Sequence, residues 1–173
     1  MPGAGRWLPR RVRVRCRTDG RGAAAEVAAA SGDPGTRTAA LRAAIAERGI
    51  AIEEADHLDG ALATSAGGRI QIVKGLAPAE EFVVLVHEYA HELLHRVADR
   101  PDSRDTRELE AEAVAFIVGE AIGLDVADSA RDCIHLNRGD RGGLLASLNR
   151  IRTAAVTILD ALAASDDAPD SGG

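Results

Sequence analysis

Three of the chain's five histidines fall in one stretch, LVHEYAHELLHR (Leu85 to Arg96), four residues apart, with a glutamate after each of the first two. At helical spacing His87 and His91 project from the same side, one turn apart, as two imidazoles must to reach one cation about 2 Å from each nitrogen. Glu88 is offset by one residue and points beside the cation rather than at it, where it can take the proton of a water held there. H-E-x-x-H therefore encodes two metal ligands and a general base. The apolar run FVVLV leading into the motif predicts a largely buried helix, and such a helix tolerates a His-Glu-His cluster only if something satisfies it.

A catalytic zinc takes three protein ligands and keeps one position open. His95 repeats the four-residue step, but on a straight helix it stands about 12 Å along the axis from His87, too far to share the ion. The pattern in which a third histidine follows the motif uses a glycine to turn the chain, and none is present between His91 and His95. His95 is expected either beside a ligand or at the surface. The next apolar-periodic stretch, RELEAEAVAFIVGEAIG, offers Glu108 and Glu112, four apart and on one face, while Leu109, Ala113, Phe116 and Ile117 are predicted to face the core. One carboxylate would complete the coordination and the other accept a hydrogen bond from a ligand histidine. Geometry alone does not rank them. Glu110 points elsewhere and is expected to be exposed.

The elements that must position these residues follow from the pattern. TRTAALRAAIAERG predicts a short helix burying Ala40, Leu41, Ala44 and Ile45, ended by Gly49. Ile70 and Ile72 alternate with Arg69 and Gln71 after SAGG, predicting a small antiparallel sheet before the motif helix. Pro78 opens that helix, with Glu80 and Glu81 in its first turn, and it is expected to run to about Ala98. Asp105, followed by Glu108, resembles a capping box for a helix from about Thr106 to Ile122, stopped by Gly123. DVADSARDCIHL reads as a short helix. The last helix, from about Leu144 to Leu162, buries Leu145, Leu148, Ile151, Ala155, Ile158 and Leu162. The fold class is thus α+β, mostly helical: a disordered Arg/Ala/Gly-rich segment over residues 1–35, one domain over 36–163, and a disordered tail over 164–173.

Composition bounds the function. The chain has 173 residues, enough for one domain with its own core. Aromatics are only 2%, so the core must be aliphatic. Cys16 and Cys133 lie far apart in no C-x-x-C arrangement, which argues against a disulfide framework and fits a reducing cytoplasm. No signal-like or membrane-spanning apolar run is visible, so a soluble protein is expected. Net charge is -6, with seven Arg and one Asp in the first 22 residues, +6 there and so -12 elsewhere. The acidic body disfavours nucleic acid as a partner except through the Arg-rich head. His135 is a weaker candidate for stabilising an oxyanion, His57 reads as a surface loop residue, and Trp7 has no readable role.

The segments GGRIQIVKGL, LVHEYAHELLH and RELEAEAVAFIV, with a looser match in GGLLASLNRIRTAAVTILDAL, together resemble the ImmA/IrrE family of zincin-like metallopeptidases, and also the C-terminal catalytic region of ArdC-type antirestriction proteins. The likeness covers roughly Gly49 to Leu162. It implies a zincin-like domain in which His87, His91 and Glu108 bind Zn2+, Glu88 is the catalytic base, and Glu112 supports a ligand histidine. The family's usual Asp or Asn at that last position is Glu112 here. The implied function is a zinc-dependent endopeptidase acting on a protein partner such as a repressor. The alternative is an ArdC-like antirestriction or nucleic-acid-associated binding protein without peptidase activity, although the ssDNA-binding domain of ArdC proteins has no counterpart here. A zinc-stabilised structural domain is disfavoured, because such sites close all four positions with Cys and His.

Overall fold

The computed structural model describes residues 14–16, 25–27, 30–96, 101, 103–126 and 141–166. The described elements run β1 (Val14–Cys16), β2 (Ala25–Val27), α1 (Arg37–Glu47), β3 (Ala51–Ala55), β4 (Ala63–Ser65), β5 (Arg69–Val73), α2 (Pro78–Leu94), α3 (Arg104–Ala121) and α4 (Arg141–Asp166). The expected α+β class, mostly helical, is what the structure has. Cys133, His135 and the helix expected around them lie outside the described residues, as does Trp7. Within the first 35 residues, where no regular structure was expected, β1 and β2 pair antiparallel, and Ser31 exchanges two backbone hydrogen bonds with Asp125.

Helix α1 forms as its periodicity predicts, burying Leu41, Ala44 and Ile45, and Gly49 follows at φ 72°, a conformation that glycine adopts without strain. Arg42 reaches across from α1 to the first turn of α2, donating to Glu81 Oε1 from Nε (3.1 Å) and from a terminal nitrogen (2.7 Å).

The sheet differs from the antiparallel one expected. Its order is β3-β5-β4. The glycine-rich turn does join β4 to β5 antiparallel, but β3 lies on the other side of β5 and parallel to it, from Ala51↔Arg69 to Ala55↔Val73. The cause is the connection after β3. A turn in which Ala61 N–H donates to Leu58 O (2.8 Å), with Asp59 and Gly60 at positive φ, carries the chain across to the far edge of β5. Short apolar runs do not reveal such a crossover, because strand direction leaves no mark on the alternation of side chains.

Helix α2 is buried along most of its length, with Phe82, Val84, Leu85, Val86 and Ala90 inaccessible to solvent. It ends at Leu94 rather than near Ala98, because His95 leaves helical geometry (φ -116°, ψ 4°). Helix α3 starts two residues earlier than expected. Its N-cap is Ser103, whose hydroxyl accepts from the Thr106 N–H, so Asp105 lies in the first turn instead of capping it. The buried face of α3 comprises Leu109, Glu110, Ala111, Val114, Ala115 and Val118, while Ile117 is exposed. Gly119, also on α3, is a matter of space, since a Cβ there would lie 3.1 Å from Val126 Cγ1.

Helix α4 buries Ile151, Ala154, Ala155, Ile158 and Leu162, but Leu145 and Leu148 face outward and Ser147 is buried in their place. Among the described residues no helix is long and apolar enough to cross a membrane.

One polar contact locks the sheet to α2. The Glu92 carboxylate, 2% exposed, accepts the Gly68 N–H at the β4–β5 turn (2.7 Å) and an Arg96 N–H (3.0 Å). Glu92→Ala strands this amide, so we expect the unfolding free energy to fall by about 1–3 kcal/mol in urea denaturation. An unchanged midpoint would show that the clasp contributes nothing.

Candidate metal centre

The polar cluster forms where α2 and α3 pack side by side. One helical turn separates His87 from His91, so both rings lean into the same groove, and α3 brings Glu108 against them. His87 Nε2 and His91 Nε2 are 3.1 Å apart, and each is 3.6 Å from Glu108 Oε2. Three donors on one face of a tetrahedron with bonds of about 2.0–2.2 Å lie roughly 3.3–3.6 Å apart, so the triangle fits a metal ion with little adjustment. Among the described residues this is the one trio of His, Cys, Asp and Glu that could hold an ion.

Position now separates the two carboxylates that spacing left equivalent. Glu112 Oε2 lies 3.7 Å from His87 Nδ1, on the ring nitrogen opposite the one in the triangle. Glu108, and not Glu112, belongs to the trio that could hold an ion, while His87 Nδ1 makes no hydrogen bond. His87 and Glu88 are inaccessible to solvent, and the Glu108 and Glu112 side chains keep 15% and 13% exposure. The cluster therefore meets solvent at its carboxylate edge, with the imidazoles beneath.

His95 and Glu110 differ most from expectation. Glu110, expected to be exposed, is inaccessible to solvent. Because α2 stops at Leu94, the His95 ring folds back, with Nδ1 2.8 Å from His91 Nδ1 and Nε2 3.1 Å from Glu110 Oε2. His95 thus lies against His91, outside the donor triangle. From α4, Ser147 Oγ (2.6 Å) and Arg150 Nε (3.0 Å) donate to Glu110 Oε1, joined by a terminal Arg150 nitrogen. Ser147 and Arg150 were not singled out in the sequence because the apolar stripe through Leu145 and Leu148 claimed that end of α4. Two polar residues three apart were the available signal. His57 is exposed, as expected.

The electrostatics reflect this crowding. Burial alone would lower the His87 pKa, but Glu108, Glu88 and Glu112 outweigh it and raise it above 6.5. Burial would raise Glu108, yet His87 and His91 hold it far below the usual carboxylate range. Glu110, which burial would also raise, is brought down to about 2 by His95, Arg150 and Ser147. Burial lowers the His95 pKa in spite of Glu110.

Compared as a whole with models of protein families, with curated proteins and with solved structures, the chain matches none.

Two outcomes follow from the geometry. Glu108→Ala removes one of three donors and should abolish stoichiometric metal in elemental analysis. Glu112→Ala should retain metal with affinity about 10–100-fold weaker, as for loss of a group that orients a ligand; the reverse pattern would exchange their roles. Because the His87 pKa is raised, the metal-free site keeps its proton to higher pH than a free histidine and must release it to bind a cation. Apparent affinity should then rise with pH and level off above the raised pKa. Calorimetry in two buffers of different ionisation enthalpy reads the released proton, and identical heats would exclude it.

Proposed function

We propose that this protein is a zinc-dependent metallo-endopeptidase that hydrolyses a peptide bond in a protein partner. The observation carrying this reading is the near-equilateral triangle of His87 Nε2, His91 Nε2 and Glu108 Oε2, with buried Glu88 next to the first donor. Three donors, with no fourth among the described residues, correspond to a site that keeps a position for chemistry rather than a closed structural one. The same donor types also serve non-haem iron. Here the glutamate following His87 favours hydrolysis, for which a proton acceptor beside the ion is required.

When bound, zinc supplies Lewis acidity toward a carbonyl oxygen and toward water. The chain's own residues do the rest. Glu88 takes the proton of the attacking water and delivers it to the leaving amine. Glu112, 3.7 Å from the other nitrogen of His87, is the carboxylate nearest to orient that ring, and the buried packing of α2 keeps both imidazoles in register. The motif resemblance to ImmA/IrrE peptidases supports a protein substrate, with a repressor as the partner class it implies.

Glu88→Gln keeps size and hydrogen bonding but cannot accept the proton. With zinc content unchanged, its cleavage of a mixed peptide library, scored as new amino termini, should fall about 10²–10⁴-fold. Equal cleavage by wild type and variant would overturn the assignment of the base.

A further inference from the structure

Every polar atom on the line from His91 to α4 has a partner, and binding of an ion at one end leaves that line only one consistent arrangement of protons. A neutral imidazole carries one N–H and one lone pair. If His91 Nε2 gives its lone pair to a cation, His91 Nδ1 must bear the hydrogen. Its neighbour at 2.8 Å, His95 Nδ1, must then accept, which puts the His95 hydrogen on Nε2. That nitrogen is 3.1 Å from Glu110 Oε2, an acceptor when ionised. The other Glu110 oxygen takes three donors from Ser147 and Arg150, which keeps this inaccessible carboxylate charged and fixes which oxygen faces His95.

We propose that Glu110, anchored by Ser147 and Arg150 of α4, is a positioning residue for the metal centre: through His95 it selects the His91 tautomer whose Nε2 is free to bind the ion. This makes α4, which contributes nothing to the donor triangle, part of the metal site. The inference rests on the metal reading of His87, His91 and Glu108 but not on peptidase activity.

The chain also shows what would break the arrangement. In Glu110→Gln the amide oxygen stays with Ser147 and Arg150, so the NH2 group faces His95. His95 must turn its lone pair to Nε2 and its hydrogen to Nδ1, where it meets the hydrogen of His91. Only when His91 carries its hydrogen on Nε2, the atom the ion needs, is the conflict relieved. The metal-free variant is therefore satisfied and the metal-loaded one is not. His95→Gln offers an oxygen to His91 and an NH2 to Glu110, preserving the direction of the chain, and His95→Leu offers neither.

The test measures zinc affinity by chelator competition on the full chain, together with thermal unfolding of the metal-free protein. Glu110→Gln should bind zinc about 10–100-fold more weakly with the metal-free midpoint little changed, His95→Leu should lose affinity comparably, and His95→Gln should stay close to wild type. A purely structural role for Glu110 would lower the metal-free midpoint and leave affinity alone, and that result overturns the proposal, as does equal loss in His95→Gln and His95→Leu. Should Glu110→Gln not fold, nitrogen-15 NMR of the zinc-loaded wild type decides independently. His95 should carry its hydrogen on Nε2, and a hydrogen on Nδ1 overturns the assignment. Wild type that binds no zinc overturns the metal reading and this proposal together; wild type that binds zinc with every variant unchanged overturns this proposal alone.

Discussion

An aliphatic interior has nothing to offer an imidazole. Phe82 and Tyr89 are the aromatics fully buried in the described core, with Phe116 packed against it, and the remainder is Ala, Val, Leu and Ile. Into this packing α2 brings His87, Glu88, His91 and Glu92, all buried, where polar groups call for partners because an unpaired one costs more than a satisfied one contributes, and where His87 Nδ1 still makes no hydrogen bond. The rest of the structure is arranged around that requirement. Glu92 turns to the sheet and takes the Gly68 amide. His87 and His91 turn to α3, and His95, just past the helix end, links His91 to Glu110 and so to α4. The three helices meet where α2 needs polar company.

What could be read from the sequence was the part governed by local rules. The four-residue step of His87 and His91 is a property of one helix and survives any tertiary arrangement. The same holds for Gly49, Pro78 and the β4–β5 turn, each acting within a few residues of itself. The mostly helical α+β class followed from periodicity, and the pairing of Glu108 with Glu112 on one face was equally legible. Which of the two approaches Nε2 depends on how α3 is rotated against α2, and no spacing along a single helix contains that.

The misreadings share one cause. By sequence Ile117, Leu145 and Leu148 read as core because they are apolar, and Glu110 as surface because it is charged. In the structure Glu110 and Ser147 occupy buried positions while those three side chains face outward. A hydrophobic stripe assumes that the core wants only carbon. Where a helix faces a cluster of imidazoles, the favoured neighbour is an acceptor, and the helix turns to present it. The parallel β3–β5 pairing escaped for a different reason: direction is set by a connection, and the seven residues between β3 and β4 look like any other loop.

The position of Arg150 along the chain carries a consequence for biogenesis. It sits on α4, the last of the described elements, whereas His87 and Glu110 precede it by 63 and 40 residues, as the numbering shows. A chain emerging amino end first builds α1, the sheet and α2 before α4 exists. Ser147 and Arg150, both on α4, supply the donors to Glu110 Oε1, so without α4 this buried carboxylate loses them while its His95 contact remains. Burying Glu110 before α4 is in place would therefore carry the desolvation cost of a carboxylate without these donors.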